Sequence, residues 1–339
     1  MRSKVRRSVL GFVMLLIATS ACSGTNPTQP FPSPDSGDAS GYPVTLQNCG
    51  RTITVRSEPR RVVSLWQSVT EMLLALGLRN RIVGVQNNYA PYPPSVAEAA
   101  KGLNAIGSSM SFPAKEVLLS ERPDFVAGQE LAGFAFDTSQ GYASVQQIEQ
   151  TGATVYGANI CNAQDAQDVK VWNVDTAAKT LTDFGRIFNV RSQAAKVVAR
   201  LDADKQKVVA AVRGEPTVKT AYFNGGTGPV IVLAGGVYDS LISTAGGTNV
   251  FPPNAVYISK ETFAACDADV ILVGTFPGQS FAQEKAYLEQ TFPNVPAVKN
   301  GRISEMPTEQ TDSSISVMAG LTEIADALHP GLDLPVPAS

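Results

Sequence analysis

RVVSLWQSVTEMLLALGLRNRIVGV, residues 61–85, holds the pattern from which the fold is read. RVVSL is a short apolar run of strand length, SVTEMLLALGL carries the apolar spacing of a helix, and RIVGV is a second strand-like run. Strand, helix and strand in close succession predict a βαβ unit, because parallel neighbours need a crossover and a helix supplies it.

Working outward, VTLQ and TITV precede this unit as two short strands. After it come a helix around Ala114 to Ser120, the strand DFVAG, a helix near Ser144 to Thr151 and the strand TVYGA. The alternation ends near Trp172 and defines an N-terminal α/β lobe over 42–173. Residues 174–213 then run almost without Pro or Gly. Val190, Ala194, Val197, Val198, Leu201, Val208 and Val212 recur at helical spacing, and Gly214 and Pro216 stop the run, so 174–216 is expected to be a connecting helix region. KTAYF, VIVLAG, a helix from Tyr238 to Ala245, DVILVG, a helix from Phe281 to Gln290, RISEM and a helix from Ser314 to Leu328 complete a C-terminal lobe over 217–330. The expected class is α/β: two Rossmann-like lobes with central parallel-rich sheets, joined by one long rigid α-helix. A chain of 339 residues with 44% hydrophobic content is long enough for two such lobes.

The first residues carry a different message. Arg2, Lys4, Arg6 and Arg7 precede a short apolar stretch from Val9 to Ala18, and small residues lead to Cys22. This is the layout of a secretory signal peptide over 1–21, and the stretch is too short for a membrane span, which needs about 20 apolar residues. Ala18-Thr19-Ser20-Ala21-Cys22 resembles a bacterial lipobox, with Thr19 where Leu is usual, so lipidation is expected at Cys22. Residues 22–41 are rich in Pro, Ser, Gly and Thr and poor in apolar side chains, as suits a lipid-anchored flexible linker. The expected location is the extracytoplasmic face of the cell membrane.

Removing Arg2, Lys4, Arg6 and Arg7 from 27 basic residues leaves 23 against 30 acidic ones, a net charge of -7 for the mature chain. No basic patch points to nucleic acid. Of the remaining cysteines, Cys49 (LQNCGR) and Cys161 (ANICNA) sit in polar, loop-like contexts and are expected to pair, while Cys266 precedes an apolar strand and suits a buried free thiol. The single histidine, His329, has no neighbouring thiols with zinc-ligand spacing and reads as a residue helping the last carbonyls of the final helix. There is no GxSxG elbow, and GGTGPVIVLAGG lacks the Lys and Ser/Thr of a phosphate loop. Catalysis is not expected, and no cofactor or bare metal site is expected.

The order of landmarks resembles the helical-backbone class of ABC-transporter substrate-binding lipoproteins, the iron-siderophore and cobalamin type. RVVSLWQSVTEMLLALGL with RIVGV, NNYAPYPP (87–94), LLSERPDFV, DSLISTAGGTNVF (239–251), ISKETFAACDADVILV and LTEIADALHP follow in register over nearly the whole mature chain. In open α/β sheets ligands sit beyond the carboxyl ends of strands. The residues just after each apolar run are therefore the expected ligand contacts: Trp66, Gln67, Tyr89, Tyr92, Gln129, Glu130, Phe223, Asn224, Phe276, Glu309 and Gln310. The resemblance implies a cleft lined at these points, and one exposed glutamate per lobe, Glu71 and Glu261, docking on the importer's membrane subunits.

Flat aromatic faces with a few amides suit a large planar or propeller-shaped complex. Two carboxylates and no Lys or Arg among these residues disfavour an anionic chelate and tilt the reading to neutral or cationic ones. The expected cargo is a pre-formed iron or cobalt chelate. A ferric siderophore comes first by resemblance; the YAPYPP loop resembles corrinoid (cobalamin) receptors, and haem and a deazaflavin precursor are the remaining candidate ligands. The expected partners are an ABC permease and ATPase, with the receptor itself a monomer; a surface ligand-sensing or storage protein is the competing class.

Overall fold

The structure, a computed structural model, describes residues 41–109, 111–162 and 165–337. The expected signal peptide, all of the linker but Gly41, and Cys22 lie outside the described residues. Residues 41–339 make one compact unit. It opens with the hairpin β1 (Val44–Asn48) and β2 (Arg51–Val55), in which Val44, Leu46, Ile53 and Val55 alternate inward. Cys49 and Gly50 turn the corner, both at positive φ, as a two-residue hairpin turn demands.

The N-terminal lobe continues with β3 (Val62–Ser64), α1 (Gln67–Ala75), β4 (Ile82–Val85), α2 (Pro94–Ala100), α3 (Lys115–Ser120), β5 (Phe125–Gly128), α4 (Val145–Glu149) and β6 (Thr154–Gly157). Its four strands form an all-parallel sheet in the order β4-β3-β5-β6. α5 (Ala166–Val171), α6 (Thr176–Ile187) and α7 (Arg191–Ala211) lead onward to β7 (Val218–Phe223), β8 (Val230–Ile231), α8 (Gly236–Thr244), β9 (Gly247–Asn249), β10 (Tyr257–Ile258) and α9 (Lys260–Ala264). β11 (Val270–Thr275), α10 (Phe281–Thr291), α11 (Pro296–Lys299), β12 (Ile303–Pro307) and α12 (Val317–Leu328) follow. The second sheet is again all parallel, in the order β12-β11-β7-β9. β5 and β11 are buried along their whole length, the signature of parallel strands covered on both faces.

The expected connecting helix is two helices. α7, at 21 residues, is the long one, and α6 is set off from it by a turn at Phe188–Val190, where Asn189 takes a left-handed φ of 55°. A side chain on Gly185 would meet the Ala194 Cβ at 2.5 Å, so the glycine is what lets α7 lie against α6. The last helix also begins later than the sequence suggests, at Val317, leaving Thr311–Ser316 as a buried non-helical segment. His329 is the C-cap of the last helix through its backbone N–H, which bonds the Ala325 carbonyl, but its side chain serves a different helix: Nε2 lies 3.1 Å from the carbonyl of Ala245, at the end of α8.

One apolar core runs through both lobes, from Val44 and Leu46 through Phe184, Val197 and Leu201 to Leu321 and Leu328. Each sheet has a second, smaller cluster on its other face, around Val126 and Ile148 in the first lobe and Phe223 and Phe263 in the second. Cys49 and Cys161 form a disulfide with Cα atoms 5.1 Å apart, and the Asn48 side chain bonds both the N–H and the carbonyl of Gly157. These ties fasten the hairpin to the end of β6. Cys266 is a free, half-buried thiol.

Candidate functional site

Trp66 follows β3 and stands at the N-cap of α1. Its carbonyl accepts from the Thr70 N–H and hydroxyl and from the Ser64 hydroxyl, which fixes the backbone from which the indole projects. The indole N–H donates to Asp312 Oδ2 at 2.8 Å, and the Tyr89 hydroxyl donates to the same oxygen at 2.5 Å. Asp312 follows β12, whereas Trp66 and Tyr89 follow β3 and β4. The carboxyl ends of the two sheets therefore face each other, and Asp312 ties them together. Trp172 to Ser313 (2.7 Å) and Ser316 to Glu71 (3.1 Å) add two further ties.

Around Trp66 the chain gathers aromatic rings. Tyr89 lies 5.3 Å away, Phe112 and Phe134 each 6.1 Å, and Tyr142 packs on Phe112 at 5.5 Å. From the second lobe Phe276 meets Tyr89 edge-on at 6.3 Å. Phe134 is 52% exposed and Phe276 39%, so part of this apolar wall faces water. Phe134 also holds a left-handed φ of 45°, a strained conformation for a bulky residue that the surrounding packing must maintain.

Of the residues expected at the cleft, Trp66, Tyr89 and Phe276 come together. Gln67 is buried beneath the site and serves a neighbouring purpose: its carbonyl oxygen accepts the N–H groups of Tyr89 and Ala90, both at 3.0 Å, so it sets the loop that presents Tyr89. Tyr92 packs half-buried against the core and has its hydroxyl pushed up to about 12 by burial. Phe223 is a correction. It is still within β7, fully buried against Phe263, and faces away from the cleft. Asn224 is half-buried, with Oδ1 lying over β11 so closely that a Cβ at position 274 would come within 2.4 Å of it. Gln129 is half-buried and Glu130 buried beyond β5; Glu309 and Gln310, both half-buried, form a single 3-10 turn after β12. Phe112, Phe134, Tyr142 and Asp312 escaped the sequence reading, which watched only the first residues after each strand.

Glu71 is the second correction. It is 1% exposed, accepting from Gln67 and Ser316, and so is not the surface carboxylate the sequence led us to expect. Burial pushes its carboxyl up to about 7, against hydrogen bonds that hold it down. Asp312 is pushed up to about 6 by burial, with the Tyr89 and Trp66 donors opposing. Burial raises Glu309 as well. Among the described residues no lysine or arginine nitrogen lies within 4.0 Å of the carboxylates of Glu71, Glu305, Glu309 or Asp312. Glu261, by contrast, is exposed in the first turn of α9, its carboxyl lowered by a backbone N–H and the Ser259 hydroxyl.

A concavity of about 990 Å³ lies elsewhere, on the flank between α5 and α8, lined by Lys170, Trp172, Gly236, Asp239 and Asn254. None of the rings around Trp66 lines it. Among the described residues no group of three or more His, Cys, Asp or Glu is arranged to hold a metal ion, and no helix is long and apolar enough to cross a membrane.

Known proteins are similar to this chain in sequence and fold. The family described as Periplasmic binding protein matches residues 62–310. An uncharacterised ABC transporter substrate-binding lipoprotein of Bacillus subtilis, YvrC, is 23% identical over 333 residues, covering 96% of this chain and 98% of that protein. A cobalamin-binding protein of Halobacterium salinarum is 23% identical over 343 residues, covering 96% of this chain and 85% of its own. The crystal structure of an ABC-type Fe3+-hydroxamate transport system protein from Saccharomonospora viridis superposes with a TM-score of 0.68 at 20% identity, covering 85% of this chain and 99% of that one.

Proposed function

Since the chain belongs to the periplasmic binding protein family, a family of non-enzymatic transport components, we propose that it is the receptor of an ABC importer that captures a pre-formed metal chelate, a ferric siderophore, between its two lobes. The observation that carries this reading is the partly exposed aromatic wall built from both lobes at the facing strand ends. Aromatic side chains bury about 150–250 Å² each and orient a flat or propeller-shaped ligand without needing a charge of opposite sign for every contact. The Fe3+-hydroxamate relative supports iron as the metal. A corrinoid is the second reading, favoured by the 87–94 loop that presents Tyr89 and by the cobalamin-binding relative.

In this reading the receptor is exported, anchored through Cys22 on the outer face of the membrane, and works as a monomer with a permease and an ATPase. Glu261 is its exposed docking carboxylate on the second lobe. The test is a fluorescence titration in a Trp172→Phe background, which leaves Trp66 as the reporter because the chain has only two tryptophans. Saturable quenching by ferrioxamine B or ferrichrome is expected. Saturation by cobalamin, haem or a deazaflavin precursor alone would move the cargo to that class, and no response to any of them would remove the chelate-receptor reading.

A further inference from the structure

The cleft joins two features that are independent in origin and agree on one kind of ligand. The first is the charge at its floor. Asp312 is buried between the lobes, and its Oδ2 takes two neutral donors, the Trp66 indole N–H and the Tyr89 hydroxyl. The titratable groups facing it are the neutral tyrosines Tyr89, Tyr222 and Tyr238 and the carboxyls Glu71 and Glu309, with Glu305 beyond Glu309, so no cation is among them. A buried carboxylate without a counter-charge costs several kcal/mol of desolvation that two neutral hydrogen bonds offset only in part. Groups left in that condition cluster where something else completes them.

The second feature is the wall. Trp66, Tyr89, Phe112, Phe134 and Phe276 form one ring cluster beside Asp312, with Phe134 and Phe276 reaching water, and aromatic faces carry negative potential that attracts ammonium and guanidinium groups. Low-dielectric walls also concentrate the field of the carboxylates within the cleft. Among the described residues an anionic ligand meets no arginine fork or lysine at these acidic groups, and the Asp312 carboxylate behind the rings repels it.

Building on the reading of this cleft as a chelate site, we propose that the ligand carries a positively charged nitrogen, an ammonium or guanidinium arm, which lies against the aromatic wall with Asp312 as its counter-charge. The arm selects among chelates of similar size, while the rings hold the bulk of the complex.

The test compares ferrioxamine B, which carries a free ammonium arm, with its N-acetylated derivative, in which the same ferric hydroxamate core has lost the charge. Isothermal titration should show the ammonium form binding about 10-fold tighter or better, the scale of a desolvated cation–π contact joined to a charge pair. Asp312→Asn should cost the cationic chelate about 10-fold more than the acetylated one. Phe134→Leu, which keeps an apolar side chain at this half-exposed position and removes the ring, should narrow the preference several-fold. Equal affinities in the wild-type protein overturn the proposal, as does a preference that both variants leave intact. If neither chelate binds, the chelate reading fails, and choline against its neutral isostere 3,3-dimethylbutan-1-ol decides the charge question. Saturable binding of choline alone supports a cation site, whereas equal binding or no choline binding at millimolar concentration rejects it.

Discussion

Glu71 and Asp312 are the carboxyls that folding takes furthest from their ordinary chemistry. Their values rise from 4.5 and 3.8 to about 7 and about 6, burial being the main cause in both. A group raised in this way binds its proton more tightly in the folded chain, so stability is greatest below the unfolded value and declines as pH climbs through the folded one. The window runs from about pH 4 to about pH 7, and each group contributes on the order of 3 kcal/mol across it. Glu309 and Glu323 are raised too and act in the same direction. Asp137, Glu261 and Asp267 are lowered and oppose them, but Glu261 and Asp267 are exposed and Asp137 is partly so, and such surface groups couple weakly to folding. Urea unfolding of the 41–339 unit should therefore give a higher midpoint at pH 5 than at pH 7.5, and Glu71→Gln should flatten the difference. A midpoint that rises with pH in the wild-type chain contradicts the placement of Glu71.

At the scale of elements, two close contacts set expected costs. A Cβ on Gly320 would lie 2.1 Å from the Gln310 carbonyl oxygen, so Gly320→Ala must push the 308–310 turn off α12. The expected loss is about 1–3 kcal/mol, read as a lower Tm. Cys161→Ser releases a cross-link between residues 112 apart and should cost about 4–5 kcal/mol under oxidising conditions, with the wild-type falling to match it in reductant. The β3-α1-β4 unit was legible because its apolar period changes sharply at Trp66 and again after Leu78. The turn between α6 and α7 was not, since neither Pro nor Gly marks it; Asn189 supplies the left-handed residue, which asparagine tolerates better than most. Phe223 was misplaced because it is the last residue of the KTAYF strand and not the first after it, and successive strand residues face opposite sides. Phe112, Phe134 and Tyr142 sit in long connections with no period to read, where a Phe-Pro pair and a Gly-flanked Phe were the only signals. Asp312 resembles any polar residue after a strand until the fold brings it to Trp66.

For the molecule as a whole, α7 is about 31 Å long at 1.5 Å per residue, and both lobes share one core beside it. Trp66–Asp312, Trp172–Ser313 and Ser316–Glu71 join the lobes directly, without help from a ligand. Ligand should therefore shift the backbone by no more than about 1 Å. Spin labels at exposed Glu98 and Glu289, on α2 and α10, should report the same distance with and without a bound chelate; a change of many ångströms would require a hinge that this core does not provide. The cleft side chains have one more property in common. Trp66, Tyr89, Phe112, Phe134, Tyr142, Phe276 and Asp312 all lie outside the strands and α-helices, in the connections between them. The frame and the specificity are thus separable parts of the sequence, and the chain is suited to recombination in the way antibody variable domains are: a library confined to these connections would explore new cargoes on an unchanged scaffold, with the Trp66 indole as a built-in optical readout of each.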